Sequence, residues 1–188
     1  MTVAAVLIMA AMTAGCAQPA RTSAMVAPVT AATILPDSSP LKDSVAVAGV
    51  SGGEKTDPLW TSEVSNEDFK AALELSLKQH TMLSKSASPL ELEANLAKLA
   101  QPLMGFDLTV TGTVRYVVTH AENGVVFDET ITRPYTADFS SAFLGVERLR
   151  LANEGAIREN IEAFIDSLLR AAEAAPEKFG RDHSNNTT

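Results

Sequence analysis

The sequence predicts an α+β fold of two layers, in which about four strands form a mainly antiparallel sheet and two helices cover one face, in the order β-α-β-β-β-α. Three observations predict it. Apolar and polar residues alternate over 106–120, a helix-capping signal begins at Ser65, and an apolar stripe of helical period runs through 157–168. A single domain is predicted over residues 43–175.

The first two predicted elements are a short strand and a helix. Residues 43–50 alternate valine with small residues until glycines interrupt the pattern, which predicts a strand. Ser65 precedes Asp68 by three residues, the spacing of a capping box, and predicts a helix over 66–81. Two apolar residues stand where a hydrophobic staple forms, Val64 and Phe69.

Three further strands are predicted in the middle of the chain. Residues 89–96 favour helix by propensity but are apolar at every second position, and the period of two predicts a strand. The alternation over 106–120 predicts a half-buried strand, and Asn123-Gly124 then marks a tight turn into a strand over 125–139. Pro134 predicts that this last strand lies at an edge or bulges, because proline lacks an N–H donor.

The turn also predicts which residues face each other across the hairpin. With Asn123-Gly124 as a two-residue turn, Tyr116 is expected opposite Ile131, and Gly112 opposite Tyr135. The ring of Tyr135 would then cover the glycine.

The last element is a long helix over about 147–172. Its apolar stripe is suited to packing on the sheet and comprises Ile157, Ile161, Phe164, Ile165 and Leu168. Beyond Pro176 the chain is rich in Ser, Asn and Thr, so residues 176–188 are predicted to be a disordered tail.

The composition excludes some classes of partner. The 188 residues carry a formal net charge of −8, which argues against nucleic acid and against electrostatic adhesion to anionic lipid. After the N-terminal apolar run, no segment of 18 or more apolar residues follows. Membrane contact is therefore expected only through a lipid.

The N-terminus carries a targeting pattern. Residues 3–12 are an uncharged apolar run of signal-peptide length, too short to span a bilayer of roughly 20 residues. They lead into Thr13-Ala14-Gly15-Cys16, which holds the only cysteine and resembles the lipobox of bacterial lipoproteins, although Thr13 stands where leucine is usual.

That resemblance implies a signal peptide over 1–15, lipidation of Cys16 and a membrane anchor. Ala17 stands where aspartate often signals inner-membrane retention, which implies the periplasmic side of the outer membrane, in its inner leaflet. The alternative is an ordinary signal peptide with Cys16 as an incidental buried thiol. A lone thiol can form no intramolecular disulfide in an oxidising compartment, and lipidation would remove that liability.

A flexible tether is predicted after the cysteine, over residues 16–42. Of the 26 positions over 17–42, 6 are Ala, 4 are Pro and 6 are Ser or Thr, and no apolar period survives. Such a coil would reach about 25–30 Å, holding the domain near the bilayer but off it.

Candidate chemistry is sparse, and no catalytic, metal or cofactor residue is predicted. Residues 49–56 match the phosphate-binding pattern G-x-x-x-x-G-K-T except at Glu54, whose carboxylate would repel phosphate, so no nucleotide is expected. His80 is interpreted as structural, on the apolar side of the first helix near its C-terminus. His120 and His183 form no metal-ligand spacing, and no G-x-S-x-G elbow marks a hydrolase.

Polar residues at the start of the long helix are the candidate partner contact. Arg150 and Glu154 fall on the stripe that later carries Ile157 and Ile161. They are interpreted as an i,i+4 ion pair that extends past the sheet, with Arg158 adding a second pair. The alternative is a polar rim at the mouth of a partner groove, made of Arg148, Arg150, Asn153 and Glu154.

Residues 49–171 resemble a group of small Gram-negative lipoproteins without an assigned role, chiefly through 52–60 and 148–158. The element order resembles auxiliary lipoproteins of envelope transport and assembly, including the lipopolysaccharide-transport lipoprotein. These resemblances imply a non-catalytic accessory or binding protein of the envelope. The alternative is an enzyme acting on lipid or cell-wall precursors; an acyltransferase of the UDP-N-acetylglucosamine type would need hexapeptide repeats, and the sequence has none.

Overall fold

The computed structural model describes residues 18–55, 62–86, 88–102 and 105–180. The strands and helices are β1 (Val45–Ser51), α1 (Asn66–Gln79), β2 (Leu90–Ala100), β3 (Leu108–His120), β4 (Gly124–Ala137), α2 (Gly145–Ala174) and the short α3 (Pro176–Phe179). Single 3-10 turns lie at Thr22–Ala24, Ala31–Thr33 and Phe139–Ser141. The predicted element order is confirmed, and the predicted tail contributes α3.

The four strands form one open sheet in the order β1-β2-β3-β4. β2, β3 and β4 are antiparallel neighbours, whereas β1 runs parallel to β2, because α1 returns the chain to the same end of the sheet. The sheet is therefore mixed and mostly antiparallel, which confirms the α+β fold class.

Both long helices pack on the same face of the sheet. On β2 the side chains alternate strictly between buried and exposed from Leu90 to Leu96. At the centre of the core, the Tyr116 ring stacks on the Phe164 ring with centroids 4.1 Å apart, and the Phe127 ring meets Phe164 edge-on at 5.7 Å. None of the described helices packs on the opposite face of the sheet, which we call the uncovered sheet face.

The first helix begins as its sequence predicts. Ser65 has an extended backbone, and its Oγ accepts a hydrogen bond from the Asp68 N–H at 3.0 Å. Val64 and Phe69, the expected staple residues, are both fully buried.

A buried amide joins the second helix to the central hairpin. Asn160 Oδ1 accepts from the Tyr116 hydroxyl at 3.0 Å, and its Nδ2 donates to the carbonyls of Gly112 (3.0 Å) and Ile131 (2.8 Å). The side chain is completely buried, with both N–H donors and its oxygen hydrogen-bonded, so it fixes the position of α2 over β3 and β4.

The hairpin turn is longer than predicted. His120 pairs with Gly124, so residues 121–123 form a three-residue loop, and Gly124 adopts a φ of 73°, which glycine tolerates. The imidazole Nδ1 of His120 accepts the N–H groups of Glu122 (3.2 Å) and Asn123 (3.3 Å), which satisfies the loop backbone.

The longer loop changes the strand register. The predicted pairs Tyr116–Ile131 and Gly112–Tyr135 are wrong; Tyr116 lies opposite Glu129 and Gly112 opposite Arg133. The shift is two residues, so every side chain stays on its predicted face. Tyr135 does cover a glycine, but it is Gly155 of α2: a Cβ there would lie 2.1 Å from the ring.

β4 is an edge strand, as Pro134 predicts. Glu129 and Arg133 share the face of Ile131 on this strand, yet both are exposed where the helical layer ends.

The N-terminal segment differs from the predicted flexible tether. Met25, Ala27 and Leu41 are fully buried, and the Ala27 N–H donates to Ser76 Oγ at 3.0 Å. These residues fill separate gaps around the helices, so their burial leaves no period in the sequence. We call residues 18–27 the strap.

The predicted disordered tail also begins with ordered residues. In α3, Phe179 is 1% exposed, and Asn123 Nδ2 of the hairpin loop donates to the Lys178 carbonyl at 3.0 Å. Residues 181–188, the predicted signal 1–15 and Cys16 lie outside the described residues.

Candidate functional site

The four residues predicted as a partner rim do lie close together, but they are buried. Arg148 and Arg150 are 6% and 7% exposed, Glu154 is 2% exposed, and Asn153 is fully buried. The strap crosses over part of this group. A partner could reach Glu154 only if the strap moved away, so in this structure these side chains act within the molecule.

Glu154 holds the strap to α2. Its Oε1 accepts from the main-chain N–H of Arg21 at 2.8 Å and from Arg21 Nε at 3.0 Å, and its Oε2 accepts from Arg21 Nη2 at 3.0 Å. Glu154 raises the pKa of the Arg21 guanidinium through these bonds and its charge. The carboxylate thus recognises both the side chain and the backbone of one residue.

Arg150 forms an ion pair with Glu154 within α2. Its Nη1 donates to Glu154 Oε1 at 3.0 Å, which is the predicted i,i+4 pair, and its Nε donates to Glu147 Oε2 at 3.2 Å. The predicted second pair, between Glu154 and Arg158, is replaced. Arg158 Nη1 donates to the Ala24 carbonyl of the strap at 3.2 Å instead.

Asn153 fixes the point where the strap begins. Its Nδ2 donates to the Ser62 carbonyl at 2.6 Å. The same carbonyl accepts a second hydrogen bond from Gln101 Nε2 at 3.0 Å. The Ser62 hydroxyl donates in turn to the Gln18 carbonyl at 2.7 Å. Gln18 is two residues after Cys16, so the chain leaves the body at a defined place.

Sequence reasoning missed an exposed aromatic group beside this place. We call Phe106, Phe139, Phe143 and Leu144 the aromatic end; they are 80%, 50%, 89% and 50% exposed. The Phe106 and Phe139 rings meet edge-on at 5.8 Å. Phe143-Leu144 lies outside every periodic segment of the sequence, and that isolation is the signal that could have found it.

Arg148 organises the aromatic end. Its guanidinium carbon lies 5.0 Å from the centroid of the Phe139 ring, and its Nη1 donates to the carbonyls of Ala142 (2.7 Å) and Phe143 (3.0 Å). The loop before α2 is therefore held in place while its Phe143 side chain projects outward.

The uncovered sheet face carries a shallow concavity of about 310 Å³. On its β3 side, Arg115 makes a bidentate pair with Asp128, through Nε–Oδ1 at 2.8 Å and Nη2–Oδ2 at 2.6 Å, and the arginine lowers the pKa of that carboxyl. Its lining comes from three strands and comprises Gly49, Val50, Ser51, Glu93, Ala94, Asn95, Arg115 and Val117.

The glycine loop after β1 packs against its neighbours. The Gly53 N–H donates to Asn66 Oδ1 at 2.8 Å and the Glu54 N–H donates to the Val64 carbonyl at 3.0 Å. Gly52 has a φ of 83°, and a Cβ there would lie 2.3 Å from the Leu96 carbonyl oxygen. The two N–H groups are thus directed into the protein and away from any phosphate. Residues 56–61 of this loop lie outside the described residues.

His80 is a buried structural side chain, 3% exposed, with its Nδ1 hydrogen-bonded to the Ser76 carbonyl oxygen at 2.7 Å. Within the described parts of the chain, no group of three or more His, Cys, Asp or Glu side chains is placed to hold a metal ion. None of the helices described is both long and apolar enough to cross a bilayer.

Comparison with known proteins gives a likeness of fold. No protein-family model and no curated protein matches the sequence. The fold is similar to protein XCC0632 of Xanthomonas campestris, of the family DUF330, at TM-score 0.58 and 13% identity, covering 80% of this chain and 98% of that one.

Two other solved structures are more distant. The hypothetical protein CT253 of Chlamydia trachomatis matches at TM-score 0.46 and 14% identity, covering 67% of this chain and 96% of its own. A minor lipoprotein of Acinetobacter baumannii matches at TM-score 0.36 and 14% identity, covering 69% and 95%.

Proposed function

We propose that this protein is a lipid-anchored accessory protein of the bacterial envelope, which presents a binding domain on the periplasmic side of a membrane and catalyses no reaction. The lipobox-like Thr13-Ala14-Gly15-Cys16 supports the anchor. The sequence resemblance of 52–60 and 148–158 to small envelope lipoproteins supports the accessory role. Ala17 after the cysteine favours the inner leaflet of the outer membrane.

One observation carries the proposal: the chain that leads to Cys16 is held to the body by built contacts. Gln18 is bonded to Ser62, and Arg21 is bonded to the buried Glu154. Two residues span at most about 7 Å, so a lipid on Cys16 would hold this end of the body close to the bilayer. Two or more acyl chains give stable anchoring.

The anchor is tested by mass spectrometry of the native mature chain and by membrane fractionation. We expect a diacylglyceryl or triacyl adduct on Cys16, and we expect Cys16→Ser to lose the adduct and its firm membrane association. A mature chain that carries no fatty acid, and a serine variant that sediments with membranes as before, would reject the anchor. Separation of inner and outer membranes tests the sorting.

The binding role is assigned to the uncovered sheet face, since the predicted rim at Arg148, Arg150, Asn153 and Glu154 is buried. A photo-crosslinker at Glu93 samples this face, and one at Lys78 on α1 is the matched exposed control. We expect a discrete adduct in native envelopes from position 93 only, lost when Arg115→Glu alters the same face. Equal labelling from both positions would reject a specific partner on this face.

A further inference from the structure

The aromatic end projects apolar rings into solvent. Phe143 is 89% exposed and Phe106 is 80% exposed, each at a turn between elements. Most exposed apolar residues of soluble proteins are scattered, whereas a contiguous group marks a contact with a protein or a membrane. Phenylalanine and leucine side chains that project from neighbouring loops suit insertion at the boundary between the lipid headgroups and the acyl chains.

The aromatic end and the start of the strap lie at the same end of the molecule. Arg148, which touches the Phe139 ring, is five residues before Asn153, or about 7.5 Å along the axis of α2. Asn153 binds the Ser62 carbonyl, and Ser62 binds Gln18.

The strands of the sheet also place the aromatic end and the start of the strap at the same end of the molecule. Gln101, which follows the end of β2, shares the Ser62 carbonyl, and Phe106 precedes the beginning of the antiparallel β3. Asp107 Oδ1 accepts from the Phe139 N–H at 2.8 Å, which ties the start of β3 to the end of β4.

From this placement we infer that the aromatic end inserts into the surface of the bilayer that holds the lipid on Cys16. The inference deepens the proposed function and depends on it for the identity of the membrane. Two residues span at most about 7 Å, so a lipid on Cys16 would bring the end of the molecule that carries Gln18 and the exposed rings to the bilayer. The partner of the aromatic end is therefore lipid and not a soluble ligand.

The charges nearby set the kind of lipid contact. Asp107, Asp138 and Glu147 flank the rings in sequence, and the Arg148 guanidinium is already held against the Phe139 ring. Anionic headgroups therefore gain little here. The contact is therefore apolar, and it persists in zwitterionic vesicles and at high salt.

The test uses the full mature chain reconstituted into phosphatidylcholine vesicles. With Cys16 lipidated, Phe143→Cys introduces a single free thiol for an environment-sensitive fluorophore. Val125→Cys is the matched control, because Val125 is 61% exposed at the start of β4, next to the β3–β4 loop at the other end of the sheet. Spin-labelled lipids quench a fluorophore within the headgroup region, and iodide quenches one in water.

We expect lipid quenching at least three-fold stronger at position 143 than at 125, unchanged in 1 M salt. A fluorophore at 143 that iodide quenches freely would overturn the inference. One shielded from both quenchers would also overturn it, since a second protein would then cover the rings. Lipid analysis of the same sample tests the anchor separately: an acylated chain with an unquenched position 143 refutes only the aromatic contact, whereas a chain without acyl groups refutes the anchor.

Discussion

Arg21 and Glu154 are 133 residues apart in sequence and are joined by three hydrogen bonds, one of them from the Arg21 main chain. The carboxylate is 2% exposed, whereas the arginine side chain is 56% exposed. The buried partner is thus part of the folded body and the exposed one is part of the strap. The strength of this junction sets how firmly the N-terminal segment stays docked.

Glu154→Gln should destabilise the fold by about 3 kcal/mol, because Arg150 would keep a buried charge with one carboxylate fewer. Urea unfolding measures the loss, and limited proteolysis should show earlier cleavage near Arg21. Arg21→Ala is the milder control, since its side chain is mostly solvated and its N–H still reaches Glu154. Equal stability of the glutamine variant and the parent would contradict a role for this junction.

Met25→Ala should destabilise the protein by about 3 kcal/mol, the usual cost of emptying a filled core position. A free coil would give no such effect. Ile34→Ala is the control within the same segment, because Ile34 is 69% exposed and its loss should change stability by less than about 0.5 kcal/mol. Indistinguishable unfolding midpoints for the two variants would show that this segment is a flexible tether, as the sequence predicts, and that Met25 does not pack in the core.

Asn160→Ala should cost roughly 3 kcal/mol, since it leaves one buried hydroxyl and two buried carbonyls without their partner. Tyr116→Phe removes only one of the three bonds and should cost about 1 kcal/mol. Chemical unfolding of both variants checks the ratio. A tyrosine variant as damaged as the asparagine variant would show that ring packing, and not the amide, dominates.

Stability should fall with pH above about 10. Burial holds the pKa of the Tyr116 phenol well above 10.0 in the folded protein, whereas an unfolded tyrosine ionises near 10. Above that pH the unfolded chain has released the proton and the folded chain has not, so alkali favours unfolding by about 1.4 kcal/mol per pH unit. Unfolding at pH 9 to 11 should show this slope reduced in Tyr116→Phe; identical slopes would refute the assignment.

Gly155→Ala should destabilise the protein although alanine favours helix, because the added Cβ would lie 2.1 Å from the Tyr135 ring. The expected loss is about 1–3 kcal/mol. In a Tyr135→Ala background the same change should become stabilising by up to about 1 kcal/mol, since the ring is gone and only helix propensity remains. Thermal unfolding of the four chains checks this reversal of sign.

The regular elements were predictable because their signals are local. The period of two in β2 outweighed its helical composition, and Ser65 marked the start of α1. The parallel partner of β1 was not predictable, since alternation reveals a buried face but not which strand lies beside it. The predicted hairpin register was wrong because His120 stabilises a longer loop than Asn123-Gly124 indicates.

The candidate site was harder to predict, since its burial comes from distant segments. Arg150 and Glu154 lie on the apolar stripe, and the sequence could not show that the strap covers them. Asn160 was also missed; a polar residue within an apolar stripe was its only signal.

Molecules confined to one leaflet share a common orientation and meet more often than molecules in free solution. An exposed edge strand therefore pairs more readily with the edge strand of a second molecule there. β4 is such an edge strand, and it carries Pro134, Glu129 and Arg133. A missing donor and protruding charges oppose the continuation of one sheet into the next. With the anchor that we propose at Cys16, these features of β4 would keep crowded molecules separate instead of letting their sheets join into fibres.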